Sequence, residues 1–187
     1  MNQSTNDLQG AFDDVSASSA GGAPFLISYG LTFLITAVLS LFLSRQITAL
    51  IAMFQGAAAL PLAFWLERKM GSRRMADDNP LRPLSVQLAM SQALGLPVLI
   101  LVYSLNPNGI PLALASLGGV HFMPYAWLHR TRVYVWFAVA VSMGGFAIQL
   151  VMKSSSFSII LFYMAVVYWV TAPFVRRHAA KIIQHDR

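Results

Sequence analysis

The chain has no cysteine and little charge, and each shortage removes a class of chemistry. Without cysteine among its 187 residues, there is no disulfide, no zinc–thiolate centre and no thiol nucleophile. Charged residues make up 11% of the chain, against about 25% in a soluble domain. Hydrophobic residues make up 57%, with a mean hydropathy of +0.61, an apolar excess too large for a core of this size to hide from water. Composition therefore points to lipid as the solvent and predicts an all-α integral membrane protein.

Positive charge is missing from the first stretch altogether. Residues 1–23 are small and polar, with Asp7, Asp13 and Asp14, and such a segment buries too little apolar area to offset its ordering entropy. It is expected to be a disordered tail. It does not resemble a signal peptide, which would place Lys or Arg before its apolar stretch and small residues after it. The first apolar segment is thus expected to remain in the mature protein.

What the chain has in quantity is long hydrophobic runs. Six are present, at 24–43, 47–66, 84–105, 110–128, 133–152 and 157–175, each close to the roughly 20 residues that carry a helix across a hydrocarbon core of about 30 Å. The first two are divided by Ser44-Arg45-Gln46. A single helix through both would bury Arg45 in mid-membrane, so a tight hairpin with Arg45 at an interface is expected instead. The reading is a six-helix transmembrane bundle over 24–175, followed by a basic tail at 176–187.

Lys and Arg outnumber Asp and Glu by 13 to 7, and their positions explain the excess. With six spans, Arg45 and Lys153 fall on one face. Arg68, Lys69, Arg73, Arg74 and Arg82 in the second loop, Arg130 and Arg132 in the fourth, and the tail all fall on the other. The positive-inside rule puts that second face, with both termini, in the cytoplasm, and the expected location is a bacterial inner membrane. Topology accounts for the net charge, so no nucleic acid is implied. Trp65, Trp127, Trp136 and Trp169 lie near the same level and read as interface anchors.

Helix-packing signals are frequent. Ser28, Thr32, Thr36, Ser40 and Ser44 recur every four residues along the first span, and Ala138, Ser142, Gly145 and Gln149 form a similar face on the fifth. Small residues at this spacing let backbones approach closely. The pattern Gly-x4-Pro-x-Ala-aromatic occurs at 56–64 and again at 119–127, and the sixth span also carries a proline near its end, Pro173. Three helical hairpins in parallel orientation would give this arrangement.

No Asp, Glu, Lys or Arg lies inside a span. Paired-carboxylate catalysis, a buried carboxylate relay and a serine–histidine–acid set are therefore absent, and a metal site would need more ligands than one intramembrane histidine supplies. No catalytic residue, metal or cofactor is expected. The deep polar groups are Gln55, Ser91, Gln92, His121 and Tyr125. At 1.5 Å per residue, His121 and Gln92 both lie roughly 12 Å from the basic face, and Gln55 lies near the middle of its span. Gly118, His121 and Tyr125 share one helix face, which His129 continues at the rim, while Pro124 leaves the carbonyl of Val120 without its helical partner. Gln87, Ser91 and Gly95 form a comparable stripe on the third span.

Two functional readings follow. In the first, Gln55, Ser91, Gln92, Gly118, His121 and Tyr125 form a site for a small-molecule solute and the protein is a permease. In the second, the same groups are interhelical glue, worth about 0.6 kcal/mol each, in a non-catalytic subunit or assembly factor that binds a membrane partner or a second copy of itself. A membrane enzyme is the least supported class. Arg68, Lys69, Arg73 and Arg74 read first as topology determinants and second as contacts for anionic lipid in the bilayer.

Overall fold

The computed structural model describes residues 3–71 and 73–185 and is all-helical over them. Residues 1, 2, 186 and 187 of the two expected tails lie outside the described residues.

The largest departure from expectation is at the start of the chain. Helix α1 spans Gln3–Ser18, where the composition of 1–23 predicts a disordered tail. The reason is periodicity, which composition averages away: Leu8, Ala11, Phe12 and Val15 recur at helical spacing, so one stripe is apolar. Ala11, Phe12 and Val15 are buried against Leu81 and Leu128. A 3-10 turn, Ala20–Gly22, then leads into the next helix, with Ala20, Gly21 and Gly22 all at positive φ. Gly22, at φ 81°, has no room for a side chain, because the hydroxyl of Tyr134 occupies the space.

Helix α2 covers Ala23–Leu39 and starts on Pro24, whose missing N–H costs nothing in a first turn. The second apolar run is two helices, α3 (Arg45–Phe54) and α4 (Gly56–Met70), broken at Gln55. Ser44 caps α3, its hydroxyl accepting from the Ile47 N–H. The third run is also interrupted: α5 (Arg82–Ser91) and α6 (Leu96–Leu105) meet at a 3-10 turn over Gln92–Gly95. Helices α7 (Ile110–Leu128) and α8 (Val133–Met152) are unbroken. Helix α9, Ser156–His185, runs through Pro173 and on into the expected basic tail.

Among the described residues, four helical stretches are long and apolar enough to cross a membrane: Ala20–Leu39, Arg45–Met70, Arg82–Leu105 and Val133–Ile182. The last contains α8 and α9, which fold back on each other at Lys153, where φ is 47°. The hydroxyl of Tyr163 on α9 donates to the Ala140 carbonyl on α8 at 2.7 Å.

The core sits where α2, α7, α8 and α9 meet, around Leu26, Phe122, Phe137, Val141, Ile160 and Tyr168. The small-residue faces make the close contacts. Ser28 donates to the Ala59 carbonyl of α4 at 2.5 Å, and Ser40 to Ser158 of α9 at 2.7 Å, while Thr36 bonds back to Thr32 in its own helix. Gly119 lies against Ala138 and Ser142 of α8, with no room for a Cβ. By contrast α5 buries no residue and α6 buries only Leu99.

Two ends can be told apart by their contacts. At one, Arg45 donates to Asn108 at 3.0 Å, tying the α2–α3 corner to the loop after α6. At the other, α1 gathers the basic loops. Arg73 pairs with Asp14 at 2.9 Å, Arg130 bonds Gln9 and lies over the Phe12 ring, and His178 of α9 bonds the His129 carbonyl at 3.1 Å.

Candidate functional site

A cavity of about 650 Å³ opens between α4, α5 and α7 at the end where α1 and the basic loops meet. Its volume lies in the range of small-molecule sites, roughly 300–1,000 Å³. The two interrupted helices flank it. Helix α4 begins just after the break at Gln55, and α5 ends where the 3-10 turn begins at Gln92.

Three of the residues expected at a site meet there. Gln92, His121 and Tyr125 all line the cavity. Ser91 does not, but its hydroxyl lies 3.2 Å from His121 Nδ1 while also donating to the Leu88 carbonyl at 2.8 Å. It orients the imidazole from behind. The His121 and Tyr125 rings sit 5.5 Å apart, one helical turn along α7.

Two expected residues lie elsewhere. Gly118 faces α9, with the Tyr168 hydroxyl 3.2 Å from where its Cβ would be, so its smallness lets that hydroxyl come close. Gln55 is buried at the α3–α4 break and does not line the cavity, and its Oε1 has no hydrogen-bond partner. Depth counted along a span carries no information about azimuth around the helix, and the α4 residues that do line the cavity, Leu60, Phe64, Glu67 and Arg68, all lie past Gln55 toward the basic end.

Of the four basic residues read as lipid contacts, Arg68, Arg73 and Arg74 lie at the cavity mouth, joined by Arg82, with Glu67 as the acid of the wall. Lys69 does not line it; its ammonium lies 6.0 Å from the Trp65 ring on the same helix.

The floor is aromatic. Tyr29, Phe122, His129 and Tyr134 line it, with the His129 and Tyr134 rings stacked at 5.5 Å. The polar atoms of this floor largely satisfy one another. Tyr134 donates to the Gly21 carbonyl at 2.6 Å, and His129 Nδ1 lies 3.1 Å from the Ser16 hydroxyl. His129 is buried at the end of α7. That burial first, and then the neighbouring His178, hold its pKa well below the ordinary histidine value of 6.5.

The end of α1 and the turn after it contribute to the wall at the basic end. Ser18, Ser19 and Gly22 line the cavity, and Asp14 fixes the loop that carries the arginines. One carboxylate oxygen accepts from Arg73 Nε at 2.9 Å, and the other from the Ala76 N–H at 3.0 Å and Asn79 Nδ2 at 2.9 Å. Burial alone would raise the Asp14 pKa. The Asn79 and Ala76 hydrogen bonds and the Arg73 charge outweigh it, and the carboxyl titrates below its ordinary 3.8. Sequence reasoning missed Asp14, Ser16, Tyr29 and Tyr134. The apolar stripe of α1 was the signal that would have drawn Asp14 and Ser16 in.

These features define an all-helical protein whose apolar helices enclose a cavity with a basic mouth and an aromatic floor. The chain belongs to the family of unknown function DUF7010, whose model matches residues 8–178, so the family unit takes in most of α1 together with the bundle. No curated protein and no solved structure matches the chain.

Proposed function

We propose that the chain is a six-span bacterial inner-membrane protein, with both termini in the cytoplasm, that binds a small solute in the cavity between α4, α5 and α7 and passes it across the bilayer. The spans are α2, α3–α4, α5–α6, α7, α8 and α9, paired as three hairpins. The observation that carries the reading is the meeting of Gln92, His121 and Tyr125 in one cavity. Interhelical glue alone would not require a cavity in front of these groups. The breaks at Gln55 and at Gln92–Gly95 add to it, because helices interrupted beside a site are a usual way for transporters to free backbone groups and allow gating. Exposed Leu41, Phe42, Leu94, Leu101, Leu105 and Val151 fit a lipid-facing exterior.

A second reading has one observation of its own. Since α5 and α6 bury almost nothing within the chain, that face is free for a membrane partner or a second copy, and the protein would then be a non-catalytic subunit.

The test is thermal unfolding of detergent-purified protein against a metabolite panel, for wild type and His121→Ala. The expected outcome is selective stabilisation of the wild type by a solute, weakened by at least about tenfold in apparent affinity in the variant. A panel in which no solute raises the wild-type Tm would overturn the solute reading and leave the subunit reading standing.

A further inference from the structure

We propose that the ligand of this cavity is an amphipathic anion, a single carboxylate or phosphate group on an apolar body, with its charge at Arg68 and Arg74 and its body on the aromatic floor. The inference rests on the solute reading above and narrows it to a chemical class.

The mouth carries Arg68, Arg73, Arg74 and Arg82 against the one acid Glu67. Two of the four guanidinium groups are engaged, since the ion pairs among the described residues are Arg73 with Asp14 and Arg82 with Asp77. Arg68 and Arg74 have no acid partner among the described residues. A guanidinium presents a planar fork of donors that matches carboxylate and phosphate geometry, and such charge-assisted bonds are about twice as strong as neutral ones. The mouth therefore selects for negative charge.

The interior selects against a polar body. Phe25, Phe64 and Phe122 line it, and its hydroxyl and imidazole groups are mostly spent on protein partners: Tyr134 on Gly21, His129 on Ser16, His121 on Ser91. A polyol would leave most of its hydroxyls unpaired in this space, at about 1–3 kcal/mol each. An alkyl or aromatic body pairs nothing and loses nothing. The Gln92 amide and the Tyr29, Ser85 and Tyr125 hydroxyls, for which no hydrogen bond is found among the described residues, supply a few polar contacts beneath the charged group.

Two sources provide this chemistry: an anionic lipid entering from the bilayer, and a free amphipathic acid entering from water. The experiment uses purified full-length protein in a neutral detergent, with octyl phosphate, inorganic phosphate and octanol as probes and Tm as readout, on wild type and the double variant Arg68→Gln/Arg74→Gln. Octyl phosphate is expected to bind the wild type roughly tenfold or more tighter than either octanol or inorganic phosphate, and the double variant is expected to lose that margin while keeping its response to octanol. Both substituted residues are exposed, so the variant is expected to fold, and its octanol response checks that the cavity is intact. Octanol matching octyl phosphate on the wild type, or the double variant keeping the full margin, overturns the anionic class while leaving a solute site in place. Failure of all three probes together with failure of the metabolite panel removes both. Repeating the octyl phosphate titration in nanodiscs with and without phosphatidylglycerol separates the sources: competition by the lipid marks it as the ligand, and its absence marks an aqueous acid.

Discussion

Asp14 shows how much one buried carboxylate can hold. It is 8% exposed and accepts from Arg73, Ala76 and Asn79, three residues of one loop more than fifty positions away in sequence. A buried acceptor cannot be removed without stranding its donors. Asp14→Ala leaves the Ala76 N–H and one Asn79 amide bond without a partner, and is expected to cost about 1–3 kcal/mol, read as a lower Tm in detergent. An unchanged Tm would mean that the loop holds its place without α1. The pH dependence has a fixed sign: because the folded-state pKa is depressed, this contribution is complete above the ordinary value of 3.8 and is lost as pH falls through the lower folded value. Asp14→Asn should remove that acid-side loss.

At the scale of the element, helices α7 and α8 were legible in the sequence because each is one uninterrupted apolar run between polar loops. Helix α1 was not, because its stripe is only four residues and the small polar residues around it dominate any average. The breaks at Gln55 and Gln92 were not legible either. Pro97, in the first turn of α6, follows the Gln92–Gly95 turn and cannot donate to the carbonyl one turn back, but a proline alone does not say whether the turn before it tightens; at the other break Gly56 follows Gln55, where a Cβ would come 3.3 Å from the Tyr29 hydroxyl. For the candidate site, depth could be counted along each span but rotation about it could not, which is why Gln92, His121 and Tyr125 meet while Gln55 and Gly118 face other neighbours.

The seam between α1 and the end of α7 has a titratable group at its centre. His129 faces Ser16 of α1, the Tyr125 and Tyr134 rings, and His178 of α9, whose Nε2 bonds the His129 carbonyl. Its pKa is depressed in the folded state, first by burial and then by His178, so folding disfavours its protonation. Its contribution to stability is therefore complete above the ordinary value near 6.5 and declines as pH falls below it. Tm is expected to fall progressively from about pH 6.5 toward the folded value of about 3 in the wild type, with a shallower slope in His129→Asn. Parallel slopes in the two proteins would assign the titration to another group.

For the molecule as a whole, the open quantity is the number of crossings. Four stretches pass the test of length and apolarity, and one of them, Val133–Ile182, folds into two helices at Lys153. Helix α7 is not among the four, and the residues that lower its hydropathy are two of the site, His121 and Tyr125, and its two prolines, Pro111 and Pro124. If α7 lies across the membrane, its polar face is supported by the cavity and by α5, and the count is six. If it does not, the count is five and the ends of the chain lie on opposite sides. The absence of cysteine makes this directly testable, since each introduced thiol is the sole target of a maleimide. Asp78→Cys lies in the basic loop before α5, and Ser154→Cys lies in the exposed turn between α8 and α9. Three crossings separate them if α7 spans, and two if it does not. A membrane-impermeant maleimide applied to intact cells should label Ser154→Cys and should reach Asp78→Cys only after lysis. Equal labelling of both in intact cells would remove α7 from the membrane, and with it the intramembrane setting of His121.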